Sequence, residues 1–536
     1  MTPSQRVHAA YARLAQGERP EAWITLRPLP DVLADAIAVD PTLPLAGQLL
    51  AVKDNIDVAG LPTTAGCPAY AYQPSRNAPA VQRLVDAGAI VLGKTNMDQF
   101  ATGLVGTRSP YGVVRAVADP ARVAGGSSSG SAVVVALGIA DLALGTDTAG
   151  SGRIPAAFQG IVGLKPTRGL VPVEGVVPAC QSFDCVTVFA RTLGAAAAAM
   201  SVMSDPLPAD APLAAPPSPV VAVPHRDELT GMSPEWLDAF EAATKTLSAA
   251  GVTLRPIRLS PFLAAARLLY GGGFVAERYA AVGAFIDEHP DEVDPTVRGI
   301  ITAARDIPAH VLVADTARLS RLRAAAMAEW GDADALLLPT APMHPAIADV
   351  AADPVGVNSA LGTYTNFCNL FDLCAVAVPA GIGVQVIARG YADAVATGIA
   401  ALLVQERPPA PVGGLRLAVF GAHLTGQPLN GQLTAPGGRL VGAIRTAPEY
   451  RLYALATRPA LVRVEHGGAA IEGELWELPA AALGPFLDRL PAPLVLGKVR
   501  LDDGSAVTGF LCESVAVLDA PDISSHGGWR TYLESS

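Results

Sequence analysis

Up to about residue 400, short apolar runs alternate with amphipathic stretches. Gln48 to Val52, Ala89 to Leu92, Asp141 to Gly145, Pro219 to Val223, Ala335 to Leu338 and Ala375 to Val378 have the length and continuous apolar character of buried strands. Between several of them, Ala78 to Ala87 and Pro234 to Ala250 carry apolar residues at helical spacing. This alternation predicts an α/β domain with a central mixed sheet covered by helices. Ala132 to Ala140 is the most apolar piece; it is too short to cross a membrane, runs into Asp141 and reads as a buried helix. Pro206 to Pro219, rich in proline and alanine, is expected as a surface loop of the same domain.

Beyond Glu406 the pattern changes. Arg407 to Gly414 (RPPAPVGG) reads as a linker, stiff and then flexible. Leu415 to Phe420, Tyr450 to Ala456, Ala460 to Val464 and Val515 to Leu518 follow as strand patterns, with one helical stretch, Ala480 to Arg489. The expected organisation is a domain over 1–406, a linker over 407–414 and a smaller, mostly β domain over 415–536.

Composition narrows the function classes. The 536 residues are 51% hydrophobic and 16% charged, which excludes disorder and predicts extensive buried surface. A net charge of −11 argues against a nucleic-acid partner, because phosphates demand a basic footprint. No uninterrupted apolar window of roughly 18 residues occurs, so no membrane span is expected. The N-terminal stretch has no apolar signal core, and the six cysteines form no C-x-x-C pair or regular framework. Both point to the cytoplasm, with the cysteines as reduced core thiols.

One formal motif is misleading. Gly88 to Thr95 (GAIVLGKT) fits the phosphate-loop expression, which needs a loop between its glycines. Here the intervening Ala89 to Leu92 is itself a strand, and a strand cannot wrap a phosphate.

Three other segments carry candidate chemistry. Lys53 ends an apolar strand in AVKDN; Gly125 to Ser131 (GGSSSGS) enters an apolar helix; Leu144 to Pro155 (LGTDTAGSGRIP) leaves a strand and turns. Singly they read as a solvated charge, a flexible linker and a turn serine. Together, with KTNMDQFATG (Lys94 to Gly103) between them, the motifs GGSSSGSAVVVA and LGTDTAGSGRIPAAFQGIVGLKPTRG resemble the amidase signature family. The resemblance covers roughly residues 25 to 400. It implies Lys53 as catalytic lysine, Ser127 as a serine following a cis peptide bond, and Ser151 as nucleophile. The chemistry is coherent. A serine hydroxyl needs a base, no histidine lies near these segments, and a buried lysine can serve once burial disfavours its charge. Ser127 would relay the proton from Ser151 to Lys53. Backbone amides of the turn from Thr148 through Ala149 and Gly150 to Ser151 would form the oxyanion hole. No metal or organic cofactor is implied.

Two features bear on the substrate. Arg278 stands eight residues after Tyr270 in LLYGGGFVAERYAA, a spacing that would place both on one face of a helix. Unaided, these read as a core aromatic and a surface charge. The segment, with Val177 to Asp184, is similar to allophanate hydrolases within the family, and that similarity implies that Tyr270 and Arg278 hold a small-molecule substrate's carboxylate. Leu417 to Asn430 and Gly473 to Pro479 resemble the γ-glutamyl-cyclotransferase-like domain appended to those enzymes. There the domain is expected to decarboxylate the first product, N-carboxycarbamate, which puts His423 forward; as a residue it reads equally as a loop histidine. The resemblance also implies a homodimer, association with other enzymes of the pathway, and a place in urea or cyanurate breakdown. One departure is the short stretch between Val378 and Ile387, where the family carries a longer polar loop. The rival readings are a general amidase, the amidase component of a tRNA amidotransferase, and a C-terminal module that only dimerises or docks.

Overall fold

All six runs expected as strands in the first part of the chain form strands, joined by five others. In chain order they are β1 (Trp23–Leu26), β2 (Leu49–Lys53), β3 (Ile90–Thr95), β4 (Leu142–Asp147), β5 (Val162–Lys165), β6 (Cys185–Ala190), β7 (Val220–Pro224), β8 (Thr253–Ile257), β9 (Ala335–Pro339), β10 (Cys374–Val378) and β11 (Val384–Ala388). They make one 11-stranded sheet of order β1-β3-β2-β4-β6-β5-β10-β11-β9-β7-β8, with parallel and antiparallel neighbours. Strands β2, β4, β10 and β11 are buried at every residue, as expected where helices cover both faces. The computed structural model describes residues 1–229, 231–407, 413–456 and 458–535.

The chain divides into a larger unit, Met1–Asp205 with Ser218–Pro409, and a smaller one, Pro206–Pro217 with Ala410–Ser536. This corrects one expectation. The proline-rich stretch after Asp205 belongs to the smaller unit, where the Leu213 N–H donates to Gly437 O at 2.8 Å and the Ala481 N–H to Ala209 O at 2.8 Å. Lacking amide donors at its prolines, the stretch lies along that unit through the few amides it has. Of the expected linker, residues 408–412 lie outside the described residues.

For the chemistry, the key register is that β2 runs parallel to β4, with Leu50 opposite Leu142 and Val52 opposite Leu144. Lys53 and Asp147 therefore emerge at the same end of the sheet, where these parallel strands finish. The Ser129–Ala136 helix, buried from Ser129 through Val135, packs behind them. Gly88 to Thr95 contains β3, and Lys94 within it is paired with Asp54 at 3.4 Å, both fully buried. The short stretch after Val378 is a tight antiparallel hairpin, with Val378 opposite Val384.

In the smaller unit, β12 (Leu415–Val419), β13 (Arg439–Arg445), β16 (Glu472–Leu478), β17 (Leu494–Arg500) and β18 (Ala506–Cys512) form a five-stranded sheet. The hairpin of β14 (Tyr450–Leu455) and β15 (Arg458–Arg463) stands beside them. Ala480–Asp488 is helical. Val515 to Leu518 is not a strand. Ser514–Val517 is a 3-10 turn that leaves Val515 69% and Leu518 78% exposed, so its apolar residues mark surface where a strand would have needed a partner. All six cysteines are free and buried.

Candidate active site

Lys53 is fully buried at the end of β2. Its Nζ lies 2.8 Å from Ser127 Oγ and 2.7 Å from Thr146 Oγ1 on the adjacent β4. Burial pushes the Lys53 pKa down to about 7, against the opposing fields of Asp98, Asp147 and Asp184. At neutral pH a large fraction of this lysine is therefore an uncharged amine with a free lone pair. Ser127 follows a cis Gly126–Ser127 peptide. Its carbonyl accepts from the Asp98 N–H at 3.2 Å, and the next residue, Ser128, donates from Oγ to Thr146 O at 3.2 Å. Asp98 in turn accepts from the amides of Gly106 and Arg108, each at 3.0 Å. Only glycine fits at position 126, since a Cβ there would stand 2.1 Å from Asp98 Oδ2.

The turn after β4 is built on one buried ion pair. Asp147 accepts from Arg153 Nε and Nη2, both at 2.9 Å, and from the Gly150 and Gly152 amides at 2.9 Å. Burial alone would raise the Asp147 carboxyl, but Arg153 and the turn amides hold it below the ordinary carboxylate range. Asn369 Nδ2 donates to Asp147 O at 2.7 Å, and Thr365 Oγ1 to Ala149 O at 2.6 Å. Gly150 has φ +129°, and a Cβ would meet Thr365 Oγ1 at 2.4 Å, so this position also requires glycine.

The outcome for the oxyanion hole is specific. The Gly150 N–H is already donated to Asp147. Among the described residues, the amides of Thr148, Ala149 and Ser151 have no acceptor, which makes them the available donors. Of the expected donors, Gly150 is thus the one already bonded. Ser151 is buried in this turn, and its hydroxyl has no hydrogen-bond partner among the described residues, Ser127 included. Nucleophile contacts in unliganded sites are often long and tighten in the complex.

Tyr270 and Arg278 do meet, though not on one helix. Tyr270 lies in Leu268–Gly271; Gly272 is extended and breaks the helix; Arg278 lies in Ala276–Glu288. The buried guanidinium donates from Nη2 to Tyr270 Oη at 3.1 Å and from Nη1 to Thr102 Oγ1 at 3.0 Å. It also stands 4.9 Å from the Tyr270 ring centroid. It has no ion-pair partner among the described residues. Asp184 feels its field, yet that carboxylate already accepts from the Thr148 hydroxyl and from the Ala179 and Cys180 amides.

In the smaller unit, His423 is buried with its ring stacked on Phe510, centroids 4.8 Å apart. His423 Nε2 lies 3.1 Å from Gln432 Oε1; the amide oxygen only accepts, so Nε2 carries the hydrogen and Nδ1 the lone pair. Burial lowers its pKa, favouring the neutral ring. It lines a cavity of about 600 Å³ with mostly apolar walls.

A family profile described as Amidase matches residues 9–396. The chain belongs to the amidase family. A second profile, described as allophanate hydrolase C-terminal domain, matches residues 415–534 of this amidase. It is 41% identical to a urea amidolyase of Lachancea kluyveri over 92% of its length, and spans 30% of that protein. A 2-amino-5-chloromuconic acid deaminase of Comamonas testosteroni is 36% identical over 69% of this amidase and 86% of its own length. A solved Kluyveromyces lactis allophanate hydrolase superposes with a TM-score of 0.89 at 37% identity, covering 100% of this chain and 97% of that one.

Several residues that shape the site of this amidase escaped the sequence reading. Asp98, Thr102 and Thr146 sit inside or beside quoted motifs but give no local signal of their contacts. Thr365 and Asn369 reach the turn after β4 from more than 200 residues away. Among the described residues no helix is long and apolar enough to cross a membrane.

Proposed function

We propose that this amidase hydrolyses allophanate, with Ser151 as nucleophile, Ser127 as proton relay and Lys53 as base. The observation that carries this reading is the buried Arg278 guanidinium, bonded only to two hydroxyls and left without a counter-ion among the described residues. A buried charge of this kind is costly until an anion joins it, and guanidinium matches a planar carboxylate bidentately. Allophanate supplies that carboxylate, one nitrogen away from its terminal amide.

Ser151 Oγ attacks the amide carbonyl as its proton passes through Ser127 to neutral Lys53. The amides of Thr148, Ala149 and Ser151 stabilise the oxyanion. The C–N bond breaks, the proton returns to the leaving nitrogen and ammonia departs. Water then cleaves the acyl-serine, releasing N-carboxycarbamate. In the C-terminal unit one C–N bond of that dianion breaks, carbon dioxide leaves, and the nitrogen keeps the electron pair and takes a proton, giving carbamate. His423 is the site residue we assign there. The reading further places the enzyme in the cytoplasm as a homodimer, handing on nitrogen from urea or cyanurate breakdown alongside the enzymes that precede it; the six free thiols are consistent with that compartment.

Ammonia release should be compared for allophanate, malonamate, biuret and simple amides. Carboxylate-bearing substrates should lead, with allophanate first. Equal efficiency on biuret and allophanate would remove the substrate assignment.

A further inference from the structure

The cavity around His423 has an unusual electrostatic outline for a chain of net charge −11. Phe420, Phe486, Phe510 and Trp529 supply much of its wall. Two arginines line it, Arg458 at the start of β15 and Arg489 just after the Ala480–Asp488 helix, and among the described residues no aspartate or glutamate does. Neither guanidinium has an ion pair or hydrogen bond among the described residues; Arg458 is half-buried and Arg489 exposed. The polar remainder is neutral: His423 with its lowered pKa, Gln427 and Gln432. Most other arginines of the unit find partners, Arg445 being an exception among the described residues. Arg439 pairs with Glu477, Arg463 with Glu449 and Arg530 with Glu474. Two guanidiniums without ion pairs at one apolar cavity make it locally positive, with no carboxylate in the cavity wall to offset them.

We infer that this cavity is a binding site for a small dicarboxylate, with Arg458 and Arg489 as the residues that recognise its charge. The inference rests on the proposed decarboxylation in this unit and supplies its substrate-recognition groups. N-carboxycarbamate is a planar dianion whose two carboxylates flank one nitrogen. Guanidinium forks fit such carboxylates, and low-dielectric walls strengthen the attraction once water is excluded. A neutral imidazole beside them adds a polar contact without competing for the anion.

Malonate, which replaces the central nitrogen of N-carboxycarbamate with a methylene, is a stable probe. Calorimetric titration should use the whole chain carrying Arg278→Ala, so that the larger unit's guanidinium does not contribute. Malonate should bind, and acetate much more weakly. Adding Arg458→Ala or Arg489→Ala should weaken malonate binding by about tenfold or more, one charge-assisted hydrogen bond's share. The corresponding lysine variants should fall between. Circular dichroism and thermal unfolding of each titrated variant, set beside the unsubstituted chain, report that both units are folded. Absence of malonate binding, or binding unchanged by either arginine variant in a folded chain, overturns the inference. The decarboxylase reading fails separately: malonate binding that survives His423→Ala while carbon dioxide release is also unaffected would keep the anion site and remove the chemistry.

Discussion

The two candidate sites of this amidase are built on opposite principles. Around Lys53 and Ser151 the charged groups are buried and matched, while the Ser151 hydroxyl and the Thr148, Ala149 and Ser151 amides are left open among the described residues. Asp147 accepts four hydrogen bonds, and Arg153 reaches Thr365, Gln385 and Asn369 besides its carboxylate. Around His423 the walls are apolar and the charges are unmatched among the described residues. A saturated network fixes geometry, because each donor moved would strand a partner in low dielectric. An apolar cavity with unmatched cations fixes little geometry but draws in an anion. The first suits a proton relay and an oxyanion hole, where placement decides the rate. The second suits capture of a charged intermediate.

The sharpest way to break this contrast is to remove the nucleophile. Ser151→Ala should abolish ammonia release from a folded chain, with Lys53→Ala and Ser127→Ala nearly as severe, since the three act as a unit. Substantial turnover by the Ser151 variant would show that the network serves some other group. His423→Ala, by comparison, should spare release of the first ammonia and slow carbon dioxide release.

Next in size is the network's own frame. Arg153→Met leaves Asp147 buried without its partner and should cost about 3–5 kcal/mol in denaturant unfolding. A loss of less than about 1 kcal/mol would mean that the turn is held chiefly by Asn369 and Thr365.

Smaller still is the effect at the substrate's charge. Arg278→Lys keeps the cation and loses the fork, so efficiency on allophanate should fall by about one to two decades. Biuret should be nearly indifferent to the same change. If both substrates suffer equally, Arg278 supports the fold only.

The sequence made these predictions possible unevenly. Lys53, Ser127 and Ser151 were singled out only because their three segments together resemble a family, since each alone reads as a solvated charge, a linker or a turn serine. The sheet was legible where a buried strand is a continuous apolar run, as in β2, β4 and β10, but not at the equally buried β5, β6 and β11, whose runs are broken by Gly163, Thr187 and Gln385. Edge strand β1 and partly exposed β8 lack that continuous apolar run and went unread. Tyr270 and Arg278 were correctly paired, but their common helix was not there, because Gly272 interrupts it. Asn369, separated from Asp147 by 222 residues, leaves no periodic trace that could announce the contact. Likewise, only the folded turn reveals that Asp147 has claimed the Gly150 amide.

The central claim is that a buried, neutral Lys53 is the base, and a pH profile of ammonia release from allophanate tests it most directly. Burial holds the Lys53 pKa at about 7, and the amine accepts a proton only when deprotonated. The rate should therefore be low in acid, rise through a single ionisation near pH 7, and level off above it. In Lys53→Ala the residual rate should lose that ionisation. A profile flat from about pH 5 to 9 with chemistry rate-limiting, or an ionisation of about the same midpoint persisting without Lys53, would contradict the account.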